Sequence, residues 1–199
     1  MRIPKTKRGM VTKNKLLNAA EKIFGAKGYA ESTITEITQK AKVGMGTFYN
    51  YYNSKSEIFA DLVRMLNHDL RKSISISVQN LGTRREIEEK GFRTFFDFLK
   101  HHKNLYRIIR QAEYVKPELF RWYYDKISTG YAEGLKKAME SGEIREMDPE
   151  LLSYVLMGIG DFIGMKYILW NDELNDKMMD QVMNFIFSGI LVRKGHEPC

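Results

Sequence analysis

The sequence predicts an all-α fold, in which an N-terminal module of three helices is joined by a long helix to a larger helical body, about nine helices in all. Three observations predict it. The chain has only four prolines, Pro4, Pro117, Pro149 and Pro198, so nearly all of it is free of the residue that breaks helices. Apolar residues recur at three- and four-residue spacing, and no alternating run marks a strand. With 199 residues, 43% hydrophobic and 29% charged, the chain has the balance of a packed globular protein and enough length for a sizeable core.

Each element has its own signal. Leu16, Leu17, Ala20, Ile23 and Phe24 share one helical face, which predicts a first helix over about residues 10–27 that stops near Gly28. Thr33 with Glu36 three residues on forms a capping-box pattern, opening a short second helix with Ile34, Ile37 and Ala41 on its apolar face. Val43-Gly44-Met45-Gly46 predicts a tight turn, and Thr47–Tyr52 a third short helix. Two short helices around a tight turn point to a helix-turn-helix. Asn53 or Ser54 can cap a long fourth helix, in which Ile58, Leu62, Leu66 and Leu70 repeat until about Val78. Further helices are expected over 84–102, 104–112, 117–141, 148–171 and 175–193, with Gly142 ending the third of these and Pro149 in the first turn of the fourth.

Charge is distributed unevenly. Residues 1–55 hold 11 Lys/Arg against 3 Asp/Glu, leaving 21 against 22 in the rest, so the whole net charge of +7 is N-terminal. A basic module on a near-neutral body is the footprint of a protein that meets a polyanion at one end. The alternative is a solvated basic face, and basic arms also meet membranes and RNA; on either reading the charge divides the chain into 1–55 and 56–199, which the resemblance given below makes a DNA-binding domain and a ligand-binding and dimerisation domain.

Other classes lack their signals. The single cysteine, Cys199, excludes a disulfide framework and a thiol metal cluster, and suits a reducing cytoplasm. His68, His101, His102 and His196 have no metal-site or nucleophile–base spacing, and neither a Gly-rich phosphate loop nor a nucleophile elbow is present. No catalytic residue, metal or cofactor is therefore expected. The basic N-terminal residues lead into an amphipathic helix instead of an apolar core, so no secretory signal is expected, and no apolar stretch approaches the length that spans a bilayer, so no membrane span is expected.

Residues 33–59, TITEITQKAKVGMGTFYNYYNSKSEIF, resemble the N-terminal signature of the TetR family of bacterial transcription regulators. The match runs in order through Thr33, Ile37, Ala41, Val43, Phe48, Tyr49, Tyr52, Ser54, Lys55, Glu57 and Phe59; with the first helix it covers about a quarter of the chain. Two positions depart: Thr38 stands where the family usually has alanine, and Lys42 where it has a turn glycine. Lysine takes a left-handed conformation only at a steric cost, which shifts the expected turn toward Gly44.

The resemblance implies a third helix laid in the major groove of duplex DNA. Gly44, Gly46 and Thr47 would form its thin leading edge, with Met45 also at the DNA, and Thr47 and Asn50 would read base edges. Tyr49, Tyr51 and Lys55 would reach phosphates, with Thr33 offering a hydroxyl and backbone N–H groups to another. Lys5, Lys7 and Arg8 form an expected flexible basic arm. Phe48 and Tyr52 are expected in the core, and Tyr49, about 100° around the helix from Phe48, outside it.

A two-fold operator places successive major grooves about 34 Å apart, which calls for a dimer. The last two helices carry the apolar stripes Leu151, Val155, Ile159, Phe162 and Val182, Phe185, Ile186, Ile190, and the family pairs these helices; Gly160 and Gly164 would allow close approach. The body is rich in aromatics, and Phe92, Phe96, Tyr106, Tyr114, Trp122, Tyr123, Phe162 and Tyr167 are the candidate ligand contacts. The implied function is a cytoplasmic repressor that binds a palindromic operator as a dimer and is released by a small apolar or aromatic inducer. The alternative is an architectural DNA-binding protein without an inducer.

Overall fold

The computed structural model describes residues 6–190. Among them lie nine α-helices and no strand, the all-α architecture expected. In order they are α1 (Lys7–Glu31), α2 (Ile34–Ala41), α3 (Met45–Tyr49), α4 (Lys55–Ser77), α5 (Arg84–His101), α6 (Leu105–Val115), α7 (Pro117–Glu140), α8 (Pro149–Gly164) and α9 (Asp176–Ile190), with a wider π-helical turn, Met165–Trp170, continuing α8. Lys5 of the expected arm, the last residues of the expected final helix up to Arg193, and Cys199 lie outside the described residues.

Two compact units form. One comprises residues up to Asp69 with His102–Tyr124; the other comprises Leu70–His101 with residues from Asp125 onward. The compact units do not follow the boundary expected at 55/56: they divide α4 and α7 and place α6 in the first unit.

The first unit is organised around α1. Its start lies earlier than the periodicity implied, because the Thr6 hydroxyl accepts from Gly9 N–H at 3.1 Å and caps the helix there. Lys7 and Arg8 thus stand in the first turn of α1 and are not part of a free arm. Gly28, at φ 85° and ψ 165°, breaks the helix where a C-terminal glycine was expected. Leu16, Leu17, Ala20 and Phe24 of α1, Ile37 and Ala41 of α2, Phe48 of α3, and Ile58, Phe59, Leu62 and Leu66 of α4 are buried. Each large side chain among them contributes roughly 1.5–3 kcal/mol by leaving water. Helix α6 packs on α1 through polar groups: Arg107 Nη1 donates to the Gly25 carbonyl at 2.7 Å, and Gln111 Oε1 accepts from Tyr29 N–H. Asn104 lies so close to Gly25 that a Cβ there would overlap its side chain.

In the second unit, Phe92, Phe96 and Leu99 of α5, Leu135 and Ala138 of α7, Leu152 and Leu156 of α8 and Met183, Ile186 and Phe187 of α9 are buried. A charged cluster lies among them. Arg84 Nε donates to Glu88 Oε1 at 2.8 Å, the Tyr131 hydroxyl donates to Glu88 Oε2, and Arg84 N–H donates to Glu143 at 2.7 Å. Both Arg84 and Glu88 are buried, and burial together with the Glu88 carboxylate pushes the Tyr131 phenol far above its ordinary value.

Gly160 corrects the expected helix approach: it is buried and faces Phe92 and Phe95 of this chain's own α5, where a Cβ would stand at ordinary contact distance, 3.5 Å from each ring. The stripes of α8 and α9 divide likewise. Ile186 and Ile190 face inward, while Leu151, Val155, Phe162 and Phe185 are exposed. The expectation about membrane length also needs correction. The helical run Pro149–Trp170, 22 residues, contains an 18-residue stretch long and apolar enough by length and composition to cross a bilayer, although Glu150, Asp161 and Lys166 lie within the run. Of that 18-residue stretch 33% is buried.

Candidate nucleic-acid interface

The interface starts at α2. The Thr33 side chain accepts from Glu36 N–H at 3.2 Å, while Glu36 Oε2 accepts from Thr33 N–H at 2.9 Å, completing the capping box. The Thr33 hydroxyl donates its proton to the same carboxylate, also at 2.9 Å, and Lys27 pairs with Glu36. The hydrogen bond from Lys27, followed by those from Thr33, lowers the Glu36 carboxyl to a pKa of about 2. A carboxylate therefore occupies the α2 N-terminus in the free chain, and a phosphate reaching Thr33 would displace it.

The turn differs from the expectation. Lys42, not a glycine, takes the left-handed conformation, at φ 56° and ψ 47°, with its N–H directed to the Gln39 and Thr38 carbonyls; Val43 N–H donates to Thr38 O at 3.0 Å. Gly44 is extended and caps α3, accepting from Thr47 N–H at 3.0 Å. Helix α3 thus begins at Met45, two residues before the expected start, and Gly46 lies inside it. The turn falls at Lys42 because that residue follows the last residue of α2, where returning amides need carbonyls three and four residues back.

Helix α3 separates its residues by face. Phe48 and Tyr52 are fully buried, as expected. Tyr49, its ring at 5.4 Å and nearly perpendicular to that of Phe48, keeps 49% of its surface in solvent, in agreement with the 100° offset. Met45, Gly46 and Asn50 are exposed, and Thr47 and Tyr51 half-buried. A Cβ at Gly46 would meet nothing within 4 Å, which leaves room for a base edge. Lys40 and Lys42 are exposed nearby. Lys55 is placed differently: its ammonium donates to the carbonyls of Tyr29, Ala30 and Ser32, so the structure gives it an internal task instead of an outward one.

Sequence reasoning missed the groups that hold α3 in place. The Tyr52 hydroxyl donates to Asp61 Oδ2 at 2.7 Å, and Lys13 Nζ pairs with the same oxygen at 2.8 Å, tying α1 and α4 to the end of the α3 segment. Burial first, and the Asp61 carboxylate second, drive the Tyr52 phenol upward. The available signal was Asp61 itself, an acid between Ile58 and Leu62 on an apolar face, which must find a partner. Below α3, α4 opens with Ser54 Oγ accepting from Glu57 N–H at 3.2 Å and Glu57 Oε2 accepting from Asn53 N–H at 2.6 Å.

The candidate ligand residues fall into both units. Phe92 and Phe96 of α5 are buried with ring centroids 6.0 Å apart, and Tyr167 is half-buried in the π-helical turn. Phe162 points outward at 67% exposure. Tyr106, Tyr114, Trp122 and Tyr123 belong to the first unit, where Tyr123 is buried, Trp122 carries the Arg64 guanidinium over its ring at 5.8 Å, and Tyr114 is 85% exposed. Helical spacing could not tell these faces apart, because each face is settled by the neighbouring helix.

A five-residue helix presented after a left-handed turn, with a buried aromatic behind it and small and polar residues ahead, defines a helix-turn-helix DNA-binding protein. Residues 16–62 match the family model of bacterial regulatory proteins of the tetR family. The Bacillus subtilis HTH-type transcriptional regulator YdgC is 25% identical over 92% of this chain and 95% of its own. A solved Clostridium perfringens protein described as a fatty acid metabolism regulator is 27% identical, covers 90% of this chain and 100% of its own, and superposes with a TM-score of 0.74. The Bacillus subtilis regulator FadR in complex with stearoyl-CoA is 21% identical over 88% of this chain and 98% of its own, with a TM-score of 0.78. Residues 16–62 thus carry the DNA-binding region described by the tetR family model, and along most of its length the chain is similar to helix-turn-helix transcription regulators.

Proposed function

We propose that this regulator is a cytoplasmic dimeric repressor that binds a two-fold operator and is released by an apolar ligand of the long-chain acyl class. The observation that carries the dimer is the uncovered apolar face of α8 and α9, where Leu151, Val155, Phe162 and Phe185 are 58%, 48%, 67% and 75% exposed. Large residues this exposed on two adjacent-in-sequence helices need a partner surface, and a second copy supplies an identical one. Two α3 helices so linked would address successive major grooves.

In the DNA-reading role, Gly44, Met45, Gly46, Thr47 and Asn50 meet base edges and Tyr49 and Tyr51 meet phosphates, with residues 1–55 forming the DNA-binding part. Repression follows from occupancy, since a bound dimer blocks the polymerase. The acyl class is supported by the stearoyl-CoA of FadR and the fatty acid metabolism of the Clostridium perfringens protein, together with the aromatic content of the body. The ligand must favour a state in which the two reading helices are spaced wrongly for the operator.

Light scattering with fluorescence anisotropy tests the reading. The chain should run as a dimer, Phe162→Glu with Phe185→Glu as a monomer, and stearoyl-CoA should release the wild-type dimer from DNA selected from a random pool. A wild-type monomer removes the dimer, and DNA binding indifferent to acyl-CoA removes the ligand class.

A further inference from the structure

The family resemblance assigns Lys55 to a DNA phosphate, but the geometry points to a positioning residue: its ammonium closes the broken end of α1 and fixes the start of α2 to the first turn of α4. This inference takes the DNA-reading function as its basis. Gly28 interrupts α1, so the carbonyls just beyond it lack the amides a continuing helix would bring. Lys55 Nζ stands 2.6 Å from Tyr29 O, 3.1 Å from Ala30 O and 2.7 Å from Ser32 O. An ammonium has three donors and no acceptor, and three carbonyls satisfy it completely.

The same nitrogen lies 4.5 Å from the centroid of the Tyr29 ring, a cation–π contact, and at the negative end of α1. Each partner belongs to the scaffold of the reading helices. Ser32, buried, directly precedes the Thr33 cap of α2. The Tyr29 ring packs edge-on against Phe59 of α4, at 5.0 Å, and both contact Phe24 of α1. Lys55, the first residue of α4, thereby ties three segments at one point. A phosphate could recruit this cation only by stripping it from all three carbonyls. Lys55 acts on DNA through the placement of α2, and the salt-sensitive contacts belong to other residues.

Lysine-ammonium NMR on the full chain tests this, with the Lys55 signal assigned by its loss in Lys55→Arg. In the free protein the signal should be protected from solvent exchange relative to exposed Lys40, and it should hardly move when a duplex selected from a random pool is added. An ammonium exchanging as fast as that of Lys40, or shifting strongly with DNA, overturns the inference. In parallel, Lys55→Met should lose at least tenfold in DNA affinity at every salt concentration, with the slope of log affinity against log salt unchanged. A phosphate contact would instead lower that slope by about one per protomer. Should Lys55→Met not fold, the wild-type ammonium signal still decides. Should wild-type chain bind no duplex selectively, the DNA-reading function falls, and the protection seen in the free protein still reports on the lock itself.

Discussion

The two compact units differ in what they leave in water and in where they keep their charges. Around α3 the first unit exposes small and polar residues, with Met45 and the half-exposed Tyr49 among them, and its Lys27–Glu36 pair lies at the surface. The second unit reverses this, exposing Leu151, Val155, Phe162 and Phe185 and burying the Arg84–Glu88 pair with Tyr131 over it. A surface meant for a polyanion keeps its hydrogen-bonding groups free. On the face proposed for the dimer, a cation would have to be desolvated on association.

Four changes can break or sharpen that contrast. The largest effect is expected from Glu88→Ala, which leaves the Arg84 guanidinium buried without its carboxylate; thermal unfolding should show a loss of about 3–5 kcal/mol. Lys27→Ala, removing an exposed pair, should change stability little. Equal losses would erase the distinction. Next, Thr33→Ala deletes the α2 cap and should cost about 1 kcal/mol by the same measurement, with no change in a dimer formed through α8 and α9. Of similar size and opposite sign, Lys42→Gly relieves a left-handed lysine and should raise stability by about 1 kcal/mol; a loss would mean that the Lys42 side chain makes contacts worth more than its strain.

The smallest effect concerns pH. His102 Nδ1 lies 3.1 Å from Glu21 Oε1, and that hydrogen bond, opposed by burial, raises the histidine above 6.5 in the folded chain. Its contribution is fully present below 6.5 and lost as pH rises through the elevated folded value. The stability gap between wild type and His102→Gln should therefore narrow from acid toward alkaline pH. A gap that widens contradicts the assigned pair.

Local chemistry was legible in the sequence. Thr33 with Glu36, Pro149 after Asp148, and the glycines at 28 and 142 mark boundaries through bonds between residues a few positions apart, and the helices begin and end close to those marks. The burial of Phe48 and Tyr52 and the exposure of Tyr49 followed from helical geometry. Contacts far apart in sequence were not legible. Nothing in the spacing reveals that Gln111 takes the Tyr29 amide, that Asp61 gathers Tyr52 and Lys13, or that Gly160 faces the α5 rings. Lys42 was misplaced for a different reason: steric preference favoured a glycine, whereas the hydrogen bonds that end α2 fix the left-handed position by count along the chain.

The central claim is that the exposed face of α3 reads DNA. The most direct measurement is anisotropy of wild type and Tyr49→Ala on the tightest duplex from a random pool and on its scrambled counterpart. Wild type should prefer the selected duplex by at least a hundredfold near physiological salt, and Tyr49→Ala should lose about tenfold or more while staying folded and dimeric. Equal binding of both duplexes, or a Tyr49→Ala chain as tight as wild type, would contradict the account.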